Sequence, residues 1–564
     1  MKLIFCGAAK CVTGSCHLLD TAAGKILVDC GMRQGEDAKG EFGEGTFPFD
    51  PADIRLVLAT HAHIDHIGLI PLLVKRGFAG EVLSTDATAQ LATIMLPDSA
   101  HIQEQDAEYQ NRKNQRAGRP LVEPLYTGED AQEALKRFHS VPYGKLVEVL
   151  PGVTCRFNDA GHLLGSASIE IMVTEGEKTT KVVFSGDLGR SERPILKDPD
   201  IIASADYLVL EGTYGDEDHA VTEQEDKEQE FADVIRGAIA RRGNLVIPAF
   251  AVGRTQELLY FIKRLLAKNA VPGLERMPVY IDSPMAIQAT KVYERCARGY
   301  YDEETQKMAK DGSPFDFPTL HIAETADESK QINTDPIPKI IISASGMCDA
   351  GRVRHHLKHN LYQATSTVMF AGYQAVGTLG RTLQDGAQKV KLFGESIRVN
   401  ANIVSTRGFS GHAGRNELVD WAMALEEKPK RIFLVHGEEK ALYALRDALR
   451  ERGAEVTVPN LLDEVELSPR QAQAEAKQAA PKERTAASEK AREAPAPKAA
   501  PAKEEEAISL ESTSATYEAV EQLKRIYSIL QRSQQRRSPD MELKRTILEA
   551  DLLALADKWD QLIL

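Results

Sequence analysis

The chain reads as an α/β protein in which a parallel-sheet α/β unit is set inside a first one, with a helical tail after both. Three observations predict this. Apolar strand patterns recur that each run into a histidine or a carboxylate: Ile54–Leu58 into a histidine-rich loop, Val182–Phe184 toward Asp187, Tyr207–Leu210 into Glu211, and Arg431–Val435 into His436. From 209 to 396, strand and helix patterns alternate over roughly 190 residues, a domain-sized stretch with the rhythm of a parallel sheet. From Ser468 to Glu506 the composition turns to Ala, Lys, Glu and Pro, which cannot bury enough apolar surface to fold and reads as a linker.

A chain of 564 residues, 43% hydrophobic and 27% charged, allows two or three domains with ample core. Apolar runs fall short of the ~18 residues a membrane span needs, and Met1–Phe5 is too short for a signal peptide. Seven cysteines without paired spacing fit reduced thiols in a cytoplasm, packed in the core rather than holding a structural zinc. A net charge of −14 excludes a surface that binds polyanions throughout; metal ions with a local cluster of Lys, Arg and His can still hold one strand in a groove.

The opening reads as strands Lys2–Cys6, Cys16–Asp20 and Lys25–Asp29 joined by Gly-containing turns. Asp29 ends the third and points toward the histidine loop, where it would orient a ligand or the backbone. That loop, His61-Ala62-His63-Ile64-Asp65-His66, puts three imidazoles and a carboxylate into six residues. Such groups are costly to bury unpaired, so they call for a cation; His61 and His63 can face one metal while Asp65 and His66 reach a second. The apolar run Ile67–Val74 predicts a helix. Thr85–Gln115 predicts one or two more, whose basic end, Arg112, Lys113, Arg116 and Arg119, reads as a solvated face.

His162 lies between Gly161 and Gly165, which permit a tight loop before the strand-like Ser168–Val173. Asp187 is the natural bridging carboxylate, because one carboxylate can give an oxygen to each of two ions. A helix over 222–241, strand Asn244–Pro248, a helix from Arg254, strand Val279–Asp282 and apolar segments opening at Ile340 and Thr367 make up the alternation. A strand over Ile397–Ile403 marks the return of the first unit, followed by a helix at Asn416–Glu426. In the tail, Tyr517 to Leu530 and Leu543 to Leu562 carry apolar residues at helical spacing. They predict a helical hairpin packing on itself or on another subunit, in preference to a docking peptide.

The pattern HxHxDH followed by Gly is the signature of the metallo-β-lactamase fold, which the chain resembles. The segments LEGTYG (with Glu211), IPAFAVGRTQELL, SASGMCDAGRVRHHL, GYQAVGTLGRTL, FSGHA and LVHGE follow in order. Over residues 1–466 they narrow the resemblance to the β-CASP branch of RNA-processing nucleases, in particular prokaryotic relatives of the cleavage and polyadenylation specificity factor nuclease. The resemblance implies an αββα metallo-β-lactamase sandwich (1–208 and 397–466) with an inserted β-CASP α/β parallel-sheet domain (209–396). A disordered Ala/Lys/Glu/Pro linker (467–508) and a helical hairpin tail (509–564) would follow.

It also implies the site. His61, His63 and His162 would bind one Zn2+ and Asp65, His66 and His436 a second, with Asp187 bridging and Asp29 bordering them: two Zn2+ per chain. A water between the ions would act as hydroxide and attack phosphorus in line. His412 would face the scissile phosphate and protonate the leaving oxygen, with Glu211 favouring its charged form and Asp65 counted among the catalytic residues. Ser345, Gly346, Gly351, Arg352, His355, Gly377, Arg381 and Ser410 would cradle neighbouring phosphates, unless His355 and His356 serve only to cover a helix.

Histidine at 436, where DNA-repair relatives resemble a version with an apolar residue, implies RNA. The expectation is a zinc-dependent ribonuclease hydrolysing single-stranded RNA as an endonuclease, a 5′ exonuclease or both, cytoplasmic and off the membrane, with a homo-oligomer made through the tail. Two rivals predict otherwise. A hydrolase of this fold acting on a thioester or lactone has no second domain and no Glu211, His412 and His436 trio. A non-catalytic RNA-processing subunit has degraded ligand motifs, whereas every one here is intact. The KH-like GxxG module of the archaeal relatives is missing, which leaves specificity to the core or the tail.

Overall fold

Period-two alternation sorts the strands of two seven-stranded sheets into inner and outer faces in the computed structural model. Leu3 and Phe5, Leu56 and Leu58, Ile169 and Ile171, and Val182 and Phe184 meet in one core between the sheets. Their neighbours point outward. Leu27 and Val57 pack under the helices Ile70–Lys75 and Asp86–Ala117. Val183, Leu208, Leu210, Ile432 and Leu434 pack under Arg415–Met423 and Glu439–Glu451. The result is the helix, sheet, sheet, helix layering of the αββα sandwich.

The structure describes residues 1–34, 45–218, 224–372, 374, 377–406, 409 and 411–469. Ser410, the expected linker 467–508 from residue 470 on and the whole expected hairpin 509–564 lie outside them; Leu467, expected to open the linker, is instead buried in the core between the sheets. Among the described residues no helix is long and apolar enough to cross a membrane. None of the seven cysteines is in a disulfide, and six of them are buried.

Parallel pairing explains why chemistry gathers at one edge. In the second sheet Lys178–Phe184, Tyr207–Glu211 and Arg431–Val435 are adjacent and parallel, so the segments leading to Asp187, Glu211 and His436 leave in the same direction. In the first, Gly24–Val28 and Ile54–Leu58 are parallel and deliver Asp29 and the histidine loop together. Side chains hundreds of positions apart in the chain thereby become neighbours.

The third sheet has six strands, all paired in parallel. Leu245, Ile247, Ile340 and Ile342 face helices Gln224–Arg241 and Arg254–Ala267. Val246, Ile341 and Val368 face Val353–Asn360 and Leu379–Gln384 on the other side. Helices thus cover both faces, as buried parallel strands require. One core runs from the sandwich into this sheet, since Asp86–Ala117 packs along Pro284–Arg295 and shares its apolar cluster.

Three expectations change in detail. The helix predicted over Ile67–Val74 is two short ones, Ile64–Ile67 and Ile70–Lys75. Between them the Leu69 N–H turns away to Cys30 O at 2.9 Å, and Pro71 opens the second. The strand predicted over Ile397–Ile403 is also two, because the N–H groups of Asn400 and Ala401 both donate to Leu361 O and break the ladder. Its second piece, Asn402–Ser405, pairs with Thr367–Phe370 as the edge of the parallel sheet, so that sheet extends past 396. The strand Tyr207–Glu211 stays whole in the sandwich, so the chain leaves it after Glu211 rather than at 209.

Candidate metal centre

The site begins with a backbone device. Strand Gly24–Val28 ends at Asp29, which sits at φ +62°, and its carboxylate then holds the neighbouring loop from three sides. Asp29 accepts from Thr60 N at 2.8 Å, from Thr60 Oγ1 at 3.0 Å and from Ser15 Oγ at 3.0 Å, and it lies 2.7 Å from His66 Nδ1. With Nδ1 so engaged, His66 turns Nε2 inward, the arrangement a metal ligand needs. Gly31 is obligatory here, since a Cβ on it would stand 1.6 Å from Asp65 O.

Around that support, the expected ligands converge. His61, His63, His162 and Asp187 form one group whose ligand atoms all lie within 4.8 Å of one another, and Asp65, His66 and His436 form another. Asp187 stands between them, Oδ2 at 3.5 Å from His61 Nε2 and Oδ1 at 3.3 Å from His66 Nε2 and 3.6 Å from His436 Nε2. Its side chain is 2% exposed, and Oδ1 accepts no hydrogen bond. His66 Nε2 and His436 Nε2 face each other at 3.1 Å, and His61 Nε2 faces His63 Nδ1 at 2.9 Å.

Such a set fits divalent cations. Imidazole nitrogens aimed at each other with a buried carboxylate oxygen lacking any donor are a costly arrangement that a cation between them resolves. The protonation states agree for the first group. Burial, with His66 beside it, keeps His61 well below the ordinary imidazole range; burial, with His412 nearby, does the same to His162; and burial brings His63 down to about 4. Neutral imidazole is the form that binds metal. Burial also disfavours charge on His66, but Asp187 and Asp29 outweigh it and raise that ring.

Glu211 and His412 complete the cluster. His412 Nδ1 lies 3.2 Å from both Glu211 oxygens and 3.9 Å from Asp187 Oδ2. Glu211 is buried and anchored by Leu188 N at 2.7 Å and Thr213 Oγ1 at 2.6 Å. Burial opposes charge on His412, yet the Glu211 carboxylate overrides it and raises the imidazole to about 9. At neutral pH the pair is therefore an imidazolium on a carboxylate, with His412 20% exposed.

Known families match the chain along its length. The family described as the metallo-beta-lactamase superfamily matches residues 9–233, the Beta-Casp domain 255–383, and the Zn-dependent metallo-hydrolase RNA specificity domain 396–459. Ribonuclease TTHA0252 of Thermus thermophilus is 38% identical over 460 residues, covering 81% of this chain and 98% of that one. The chain belongs to the β-CASP family of metallo-β-lactamase hydrolases. Transcription termination factor FttA of Methanosarcina mazei is 31% identical over 79% of this chain and 68% of its own length. FttA of Methanocaldococcus jannaschii is 30% identical over 82% and 71%.

Other expected residues of this β-CASP hydrolase have mixed placements. Ser345, Gly346 and Gly351 lie in the loop after strand Ile340–Ser343, where Gly351 sits at φ +78°. Gly377 opens the turn before Leu379–Gln384. Arg381 pairs with Asp385 at 2.9 Å. Arg352 is engaged inside the parallel-sheet unit: its guanidinium donates to Asp282 Oδ1 at 2.7 Å, Ala323 O at 3.0 Å and Glu324 O at 2.9 Å. His355 is exposed and stacks on Phe393 with ring centroids 4.3 Å apart.

Sequence reasoning passed over Thr60, Thr213 and Arg193. Thr213 Oγ1 lies 3.1 Å from His436 Nδ1, and Arg193 donates to His162 O at 2.8 Å and Gly411 O at 3.0 Å. Thr60 and Thr213 lie within two residues of His61 and Glu211, which was a usable signal. Arg193 carried none, because its partners are distant in the chain.

Proposed function

We propose that the chain is a zinc-dependent ribonuclease hydrolysing phosphodiester bonds of single-stranded RNA, internally, from the 5′ end, or both. The reading is carried by the His412–Glu211 pair set against the seven convergent ligands: an imidazolium beside a cation cluster suits an anionic ester whose leaving oxygen needs a proton. RNA as the substrate is supported by the RNA specificity region matched at 396–459 and by relatives named as a ribonuclease and as transcription termination factors.

On this reading His61, His63 and His162 would hold one Zn2+ and Asp65, His66 and His436 a second, with Asp187 serving both groups. When bound, the two cations supply the Lewis acidity that activates water and neutralises phosphate charge. The chain's own groups do the rest. Asp29 and Thr60 keep the His66 ring oriented, and Thr213 does so for His436. His412 donates a proton to the leaving oxygen as its bond to phosphorus breaks, and Glu211 keeps the imidazole charged beforehand. Gly346, Gly351 and Gly377 offer backbone N–H groups to neighbouring phosphates and Ser345 its hydroxyl, since the Ser345 N–H donates to Ala350 O at 3.4 Å, with His355 and Arg381 at the rim.

Residues 1–211 and 406–468 make the hydrolase domain in this scheme, with Leu467 in the core between its sheets, and 212–405 make the β-CASP domain; the protein acts in the cytoplasm as a homo-oligomer. Elemental analysis should find zinc in the purified protein, which should cut RNA labelled at its 5′ end. A ladder means internal cuts, and released mononucleotide means an exonuclease. Protein free of metal, or His63→Ala cutting RNA at the full rate, would remove the proposal.

A further inference from the structure

Strand Leu245–Pro248 of the parallel sheet ends in a five-residue turn, Ala249 to Gly253, before helix Arg254–Ala267. Ala249, Ala251 and Val252 are buried, whereas Phe250 between them is 50% exposed. The turn is not loosely held. Ala249 N donates to Ser343 O at 3.0 Å, Thr255 Oγ1 to Phe250 O at 2.8 Å, and Gly253 N to Gln256 Oε1 at 2.7 Å. A hydrogen-bonded turn therefore presents a large apolar ring to solvent, and covering that ring would be favourable.

Its surroundings say what covers it. A Cβ on Gly346 would stand 3.0 and 3.1 Å from Phe250 Cδ2 and Cε2, so the loop proposed for phosphates lies against the ring and needs glycine to do so. On the metal side, a Cβ on Gly253 would meet Leu163 Cδ1 at 3.2 Å, next to His162. Glu257, one turn into the helix, lies 3.7 Å from Arg193, whose other donor holds His162 O. Arg254 lies over Phe409, 5.5 Å from its centroid and three residues from His412. Both loops bearing His162 and His412 thus brace the base of the Phe250 turn.

Other exposed aromatic rings differ. Phe393 is covered by His355 and Arg354, and Tyr109 by Lys113. Tyr362 precedes strand Thr367–Phe370 and so sits at the opposite edge of the parallel sheet from Phe250. Ligands of such sheets bind beyond the carboxyl ends of the strands, where Phe250 is.

We infer that Phe250 is a stacking platform for one nucleobase of the RNA, close to the bond being cut; the inference rests on the ribonuclease reading. Stacking on an aromatic ring is tolerant of base identity, so Phe250 positions the strand rather than selecting a sequence. The test is cleavage by the full chain of a single-stranded RNA and of a series in which one abasic nucleotide is walked along it. Phe250→Ala should raise KM about tenfold with little change in kcat, and Phe250→Trp should restore it. At one position the abasic substitution should weaken the wild type to the same degree, and Phe250→Ala should lose nothing more on that RNA. Unchanged KM in Phe250→Ala, failure of Trp to restore it, or losses that multiply at every abasic position would overturn the inference while leaving the ribonuclease reading intact. A wild type that cuts no RNA would overturn both.

Discussion

His412 and His356 each lean on a buried carboxylate, Glu211 at 3.2 Å and Asp282 at 2.6 Å, yet the two pairs have opposite characters. His356 is fully buried and engaged at both ring nitrogens, by Asp282 and by Asn333 at 2.9 Å. Asp282 is in turn engaged by Arg352 and Ser329, so the network is closed. His412 is 20% exposed, beside seven convergent ligands. A histidine on a carboxylate is thus a brace when every polar atom is matched inside the fold; on the proposed reading it is a reagent when the pair stands part-exposed at the edge of a cluster of convergent ligands.

Breaking the cluster side should have the largest effect. His63→Ala or Asp187→Ala should cost several kcal/mol of catalysis, on the order of a thousandfold or more, together with loss of bound metal by elemental analysis. Next, His412→Ala should lower kcat by about 10²- to 10⁴-fold with metal content unchanged, whereas a parallel loss of metal would make His412 a ligand instead. On the brace side, His356→Ala leaves buried Asp282 with one partner fewer, though still held by Arg352 and Ser329, and should destabilise the fold by about 1–3 kcal/mol in denaturant titration. The kcat of its folded fraction should stay at the wild-type value; a drop there would bring the closed network into the chemistry.

Smaller effects sharpen the contrast. Asp29→Asn should weaken metal binding about 10- to 100-fold, because it loosens the hold on His66 without removing a ligand. The mildest test uses acid. Burial alone would raise the Asp282 carboxyl, but His356, Ser329 and Arg352 outweigh it and hold it below its ordinary value. A depressed carboxyl stabilises the fold above its unfolded pKa of about 3.9, and that contribution fades as pH falls through the folded value. The wild type should therefore lose more stability between neutral pH and strong acid than Asp282→Asn does. Equal slopes would mean that this carboxylate is not held as its contacts indicate.

Much of the site was legible because ligand chemistry is local: the histidine loop, Asp187, Glu211 and His436 each follow an apolar strand, and three residue types, His, Asp and Glu, explain them. The residues proposed to meet phosphates were legible only as types. Arg352 looked available because nothing in the sequence announces that Asp282, seventy positions earlier, takes its guanidinium. His355 and His356 are adjacent, yet one is exposed on a helix and the other sealed beneath it, a difference set by packing. The strand around 397–403 broke for the same reason, since Leu361 O, far upstream, captures two of its N–H groups.

By itself, the chain's order of residues determined which elements form and which side chains are capable of holding a cation, because periodicity, turn residues and donor chemistry act over a few positions. Only the folded molecule decided which of those groups meet and which are already occupied. That depends on parallel strands delivering distant loops to one edge, and on the requirement that each buried polar atom find a partner wherever the chain brings one.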